Sequence, residues 1–291
     1  MLREKVAGLL RSLGIKPTRF YERLAQLSIN ASLIENGMGP LVKKLKSIVP
    51  DLSRQYSFGM EAFNDYASVK MRGMHAFQCS LMLTLIEGMG KRTLTVVDIG
   101  DSSGTHMLYL KELAKDKFHI DTISVNLDPR AIERIKARGL EAIYCRAEEL
   151  DLGDKKIDLF TSFEMVEHLH NPVIFFRRLA KKSTCSRMLV TVPYLKKSRV
   201  GLYYIRTNSV KPISAEEEHI FELSPEDWSL LFKHAGWKVI HSKTYYQYPR
   251  KIPLLRSLLA AFWRATDLEG FWGAVLEKDT TASDLYQDWE E

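Results

Sequence analysis

The chain has 291 residues, 45% of them hydrophobic and 27% charged, with 16 Gly and 10 Pro. These values exclude collagen-like, low-complexity and wholly disordered chains and allow one large domain or two. The net charge of +6 is uneven: residues 1–90 hold 12 Lys/Arg against 7 Asp/Glu and residues 91–291 hold 30 against 29, so any steering of an anionic partner falls to the N-terminal region.

Residues 1–90 read as a helical region, a substrate cap or an oligomerisation element. Apolar positions recur at helical spacing in Phe20, Leu24, Leu27 and in Leu41, Leu45, Ile48, with breaks at Pro17, Gly37–Pro40 and Val49–Pro50. A further amphipathic helix is predicted from Ala67 to Ile86, ending at Gly88 and Gly90. From Thr93 the texture changes to short β-rich runs, TLTVVDIG, DTISVNLD, EAIYCRAEEL, IDLFTSFE and RMLVTVPY, separated by helix-sized gaps. That rhythm predicts βαβ units and an α/β fold with a mostly parallel sheet. SPEDWSLLFKHAGW predicts a helix with Ser224 as N-cap, Pro225 in its first turn and Gly236 at its end. KVIHSKTYYQ and GFWGAVLEK complete seven strands, and residues 280–291 read as a tail.

Three cysteines, Cys79, Cys145 and Cys185, form no C-x-x-C pair and leave one unmatched, against a disulfide framework or a zinc knuckle. No run approaches the roughly 18 apolar residues of a membrane span, and the first residues lack a secretory pattern. The expectation is a cytoplasmic protein without a transmembrane segment.

The chemically informative run is Val96-Val-Asp-Ile-Gly-Asp-Ser-Ser-Gly-Thr-His106, between a strand and a helix. Gly100 and Gly104 allow close approach of backbone to a ligand, Asp98 ends the strand, and Ser102 lies between the glycines. The run has neither the Lys of a phosphate-cradling loop nor the third Gly of a dinucleotide fingerprint.

From these residues onward the chain resembles the class I S-adenosylmethionine (SAM)-dependent methyltransferases over residues 67–278, which implies a Rossmann-like seven-stranded sheet flanked by helices, with SAM as cofactor. The resemblance places Asp98, Gly100, Ser102 and Gly104 around the methionine part of SAM, Ser102 standing where the family has a middle Gly. A branched side chain at Gly104 is then expected to press on the cofactor. The ribose position, acidic in the family, is Asn126 here, with Asp128 two residues on as the alternative; if Asn126 holds the ribose, Asn126→Asp should tighten binding. Ala147 and Glu148 match the adenine-side positions, and Phe163 ends the fourth strand facing the transferable methyl group.

Next comes Glu164-Met-Val-Glu167-His168. If helical, the i, i+3, i+4 spacing puts two carboxylates and an imidazole on one side. The resemblance makes His168 a general base or positioning group with Glu167 beside it. In a subset similar to ubiquinone-pathway O-methyltransferases and small-RNA 2′-O-methyltransferases, E-x-x-E-H and a later His bind a divalent metal. Here the later His is His219, so Glu164, Glu167, His168 and His219 form the candidate set for Mg²⁺ or Mn²⁺; a metal-free polar site remains the alternative. Specificity is expected from the N-terminal region, from Leu195–Arg206, and from Pro249–Ala265 with Trp263, with Tyr203, Tyr204, Tyr245, Tyr246 and Tyr248 as candidate pocket aromatics.

The resulting expectation is methyl transfer to a hydroxyl of a small-molecule or carbohydrate-like acceptor, with or without a metal. RNA 2′-O-methylation and SAM binding without turnover are the alternatives. Nucleic acid is less favoured because no RNA-binding module is visible, and the oligomeric state is open.

Overall fold

The structure, a computed structural model, describes residues 12, 16–53, 55, 64–201, 210, 212–213 and 218–286. Three helices come first: α1 (Pro17–Glu35), α2 (Gly39–Ile48) and α3 (Asp65–Gly88). Prolines sit in the first turns of α1 and α2, where the missing N–H costs nothing, and the Asn64 side chain caps α3 by accepting from Ala67 N.

The alternation that follows is β1 (Thr93–Ile99), α4 (Thr105–Ala114), β2 (His119–Asn126), α5 (Pro129–Ala137), β3 (Glu141–Tyr144), β4 (Leu159–Phe163), α6 (Pro172–Lys182) and β5 (Arg187–Pro193). After it come β6 (Arg199–Val200), β7 (Phe221–Glu222), α7 (Pro225–His234), β8 (Trp237–Tyr246), α8 (Pro253–Thr266) and β9 (Gly270–Lys278). The main sheet runs β3-β2-β1-β4-β5-β9-β8, with β9 antiparallel to both neighbours. The order reverses direction between β1 and β4, and the Rossmann-like, mostly parallel sheet predicted from the sequence is the one observed. Ser224 caps α7 by accepting from Asp227 N.

Buried side chains fill both faces of the sheet. On one face α1, α2 and α3 share a core with the sheet, Ile29, Leu45 and Phe77 being fully buried alongside Leu94 and Val96. On the other, α6 and α7 bring Phe175, Phe176, Trp228 and Phe232 against Val97, Phe160 and Val190. Each such side chain contributes roughly 1.5–3 kcal/mol relative to exposure.

Two details depart from the sequence reading. The segment read as a tail from residue 280 is seated as far as Tyr286: Ser283 is buried and its carbonyl accepts from Arg177 Nη1 at 3.2 Å. A second, two-stranded sheet of β6 and β7 brackets the insertion after β5, and Tyr203 and Tyr204 lie outside the described residues. No described helix is long and apolar enough to cross a membrane.

Candidate active site

The β1 turn begins at Gly100, whose φ of +93° disfavours any side chain and whose added Cβ would sit 2.3 Å from Met165 Cγ. Asp101, which the motif reading passed over, holds this turn together. Its Oδ1 accepts from Ser103 N at 3.1 Å and Gly104 N at 2.7 Å, and its Oδ2 accepts from Ser124 Oγ at 2.7 Å. Arg134 and Arg138 donate to the carbonyls of Ser102 and Ser103. From the N-terminal region Gln55 completes the frame, donating to Ser102 Oγ and accepting from Ser103 Oγ and Thr105 Oγ1.

This turn opens into a cavity of about 520 Å³ at the carboxyl ends of the parallel strands, where an open α/β sheet places its ligands. Among the expected residues, Asp98, Gly100, Ser102, Asn126, Ala147, Glu148, Phe163, Glu164 and His168 all line it. Gly104 does not. It starts α4 with φ +74°, and a Cβ there would meet Leu140 Cδ1 at 2.6 Å, so a branched residue at Gly104 strikes the core. Asp128 is also off the wall, because its carboxylate caps α5 by accepting from Arg130 N at 2.9 Å. Asn126 lines the cavity but uses its amide to tie two backbone segments: Nδ2 donates to Asp101 O at 3.1 Å and Oδ1 accepts from Asp128 N at 2.7 Å. The tyrosines proposed for a pocket belong elsewhere; Tyr245 and Tyr248 are buried and none of the three described ones lines the cavity.

The cavity floor is chemically unusual. Asp98 is buried, and burial with Asp101 nearby pushes its carboxyl well above the usual range. Its Oδ1 accepts from Thr161 Oγ1, while Oδ2 has no hydrogen-bond partner. A buried acceptor left open on a cavity wall fits a ligand that brings a donor, as the methionine ammonium of SAM does.

At the end of β4 the structure replaces the expected helix by a bend. Glu164 has φ +50°, the left-handed region that non-glycine residues rarely occupy, and only Val166–His168 form a turn of 3-10 helix. The i, i+3, i+4 geometry therefore does not exist. Instead, one ligand atom from each of Glu167, His168 and His219 lies within 4.8 Å of the other two, and Glu164 is not in the group. His219 arrives because the backbone N–H of Ile220 donates to Glu167 O at 2.8 Å, next to the β6–β7 ladder.

Hydrogen bonds fix the chemistry of this cluster. His168 Nδ1 faces the Glu218 carbonyl at 2.9 Å, which only accepts, so Nδ1 carries a proton and donates it to that carbonyl. His219 Nδ1 is 2.7 Å from Glu222 Oε1. Burial alone would raise Glu222, but the bonds from His219 and Arg199 outweigh it and hold the carboxyl below its usual range, so His219 donates from Nδ1. Glu167 is fully buried, both its oxygens lack hydrogen-bond partners, and burial, then Glu164, pushes it well above the usual range. Glu164 is pushed up to about 8, chiefly by burial.

A mostly parallel sheet with a cavity at its switch point, floored by an acidic residue and a glycine turn, defines an α/β enzyme of the class that binds a nucleoside-bearing cofactor. The chain belongs to the methyltransferase-domain family, which it matches over residues 73–242, and it is a SAM-dependent methyltransferase. No curated protein sequence matches it. Among solved structures it is similar to a candidate sarcosine dimethylglycine methyltransferase from Galdieria sulphuraria, at 17% identity and TM-score 0.51, over 74% of this chain and 87% of that one. It is also similar to a geranyl diphosphate methyltransferase in complex with SAM, at 10% identity and TM-score 0.52, over 76% and 93% of the respective chains. At these identities the likeness is one of fold.

Proposed function

We propose that the protein transfers the SAM methyl group to a hydroxyl of a small, carbohydrate-like acceptor, with a divalent cation held by Glu167, His168 and His219. The observation that carries this reading is Glu167: a fully buried carboxylate with two unpartnered oxygens beside two imidazoles whose Nδ1 protons are already committed. Two imidazoles and a carboxylate with one ligand atom each within 4.8 Å of the others are a donor set suited to Mg²⁺, Mn²⁺ or a related ion, and the Glu222 and Glu218 contacts would orient the imidazoles as outer-shell partners do. Glu164, outside the cluster, is left facing the cavity.

Methyl transfer from a sulfonium is an in-line displacement, so the protein's main tasks are alignment and exclusion of water. The β1 turn would hold the methionine end, Asn126 the ribose side, and Ala147 and Glu148 the adenine side. Phe163 and Glu164 would face the transferred group. A hydroxyl must lose its proton as it attacks, and a cation bound here would supply Lewis acidity toward that oxygen. His168 Nε2 is the proton acceptor of the metal-free alternative.

The test is titration of the chelator-treated protein with Mn²⁺ by calorimetry, alongside transfer to polyhydroxylated acceptors. One ion per chain is expected, bound at least about tenfold more weakly by Glu167→Gln, with transfer suppressed by chelator and restored by Mg²⁺ or Mn²⁺. Undiminished transfer in excess chelator would leave His168 as a metal-free base.

A further inference from the structure

β8 and β9 are antiparallel neighbours whose ends, Tyr246 and Gly270, face each other in the ladder, a geometry that a two-residue turn can close. The chain instead uses residues 247–269 for this connection and builds α8 within it. One side of α8 packs inward through Leu259, Ala260 and Trp263, the last donating from Nε1 to Ser28 Oγ at 3.0 Å. At about 100° per residue Leu254 and Leu258 fall on the opposite side; they are 74% and 62% exposed, with Ile252 at 59% beside them.

The touching helix α1, joined to α8 by the Tyr21–Phe262 ring stack at 6.3 Å, repeats the pattern. Phe20, Leu27 and Ile34, seven residues apart, are exposed on the side away from its buried Ser28, Ile29, Ser32 and Leu33. Single exposed leucines need no explanation, but six large apolar side chains on two touching helices do.

Charge narrows what can cover them. Lys251 just before α8, Lys16 at the start of α1, and Arg19 and Arg23 on it supply exposed basic groups. The acids of both segments are taken up internally. Asp267 binds Lys70 and Tyr66, Glu269 accepts from Tyr248 and Arg264, Glu22 accepts from Asn64, and Glu35 accepts from the backbone N–H groups of Arg250 and Lys251. Among the described residues of these two segments the face is apolar with basic groups beside it and every carboxylate engaged.

We infer that this face docks on an anionic lipid surface, α8 lying in the interface with Leu254 and Leu258 among the acyl chains and with Lys251, and Lys16, Arg19 and Arg23 of the α1 segment, at the headgroup phosphates. Amphipathic helices with apolar and basic faces bind in this way, apolar burial and lipid charge each contributing. The inference is independent of the methyl acceptor, because α8 contributes nothing to the cavity wall.

Flotation of the full chain with phosphatidylcholine vesicles, with and without about one-third phosphatidylglycerol, tests it against the double variant Leu254→Ser, Leu258→Ser. The intact chain should float with the anionic vesicles, and partition should fall about tenfold or more in the variant and in high salt. Melting temperature and S-adenosylhomocysteine affinity should stay unchanged, since both side chains stand in solvent. Failure to float with anionic vesicles, or equal partition of the variant, overturns the inference. So does a dimer in sedimentation analysis that the variant abolishes, because a second copy of the chain would then cover the face.

Discussion

Glu164 concentrates the site's strain on one residue. Its φ of +50° costs a non-glycine side chain on the order of 1 kcal/mol, and its buried carboxyl keeps a proton up to about pH 8. In the unfolded chain that carboxyl ionises near 4.5, so between these values the folded state binds one proton more than the unfolded state. Stability should therefore fall as pH rises through that window and level off above it. Glu164→Gly should raise the urea midpoint at pH 7 by removing both costs and should flatten its pH dependence, while methyl transfer declines. A lower midpoint would mean that the carboxylate is compensated in the fold. Asn126 carries a second prediction at this scale. Its Nδ2 is engaged by the Asp101 carbonyl, so Asn126→Asp loses a bond of about 1 kcal/mol and sets a carboxylate against a carbonyl. S-adenosylhomocysteine affinity, measured by calorimetry, should weaken several-fold, the reverse of what the family pattern alone suggests.

Among the elements, the decisive one for chemistry is the short ladder of β6 and β7. It brings residues 218–222 to the turn at Val166–His168, and the Ile220 N–H bond to Glu167 O joins the two. Ile220→Pro removes that donor and should move His219 away from Glu167, lowering Mn²⁺ affinity about tenfold while the main sheet's far-ultraviolet circular dichroism is retained. Unchanged Mn²⁺ affinity would place the ion elsewhere. The sequence pattern put Glu164, Glu167 and His168 on one side of a helix; with the bend at Glu164 the group whose ligand atoms lie within 4.8 Å of one another is Glu167, His168 and His219, without Glu164.

For the whole molecule, the N-terminal helices are inseparable from the sheet in packing, since Ile29, Leu45 and Phe77 share a core with Leu94 and Val96. Gln55 extends that union to the cofactor turn through Ser102, Ser103 and Thr105. Gln55→Ala should weaken S-adenosylhomocysteine binding several-fold, with thermal unfolding remaining one cooperative transition. Two separate transitions would make residues 1–90 an independent unit.

The strand and helix rhythm, the N-cap at Ser224 and the glycine turn after β1 were legible from sequence because each depends on residues close together in the chain: short apolar runs buried on both faces of the sheet, a side chain bonding three residues on, a φ above zero at Gly100. The cavity's location followed from the same rhythm, since a parallel sheet puts all its carboxyl ends on one side. Which way each candidate faces was decided only in three dimensions. Gly104 borders Leu140 across 36 positions, Asp101 is braced by Ser124, and His219 meets Glu167 across 52 positions beside the β6–β7 ladder. The outward apolar side of α8 is of the same kind: its amphipathic pattern is local, but whether the remaining leucines are covered depends on how much surface α1 and the sheet leave them. Local patterns fix backbone shape, whereas side-chain partners are set by contacts between segments far apart in the chain, which no short window of sequence contains.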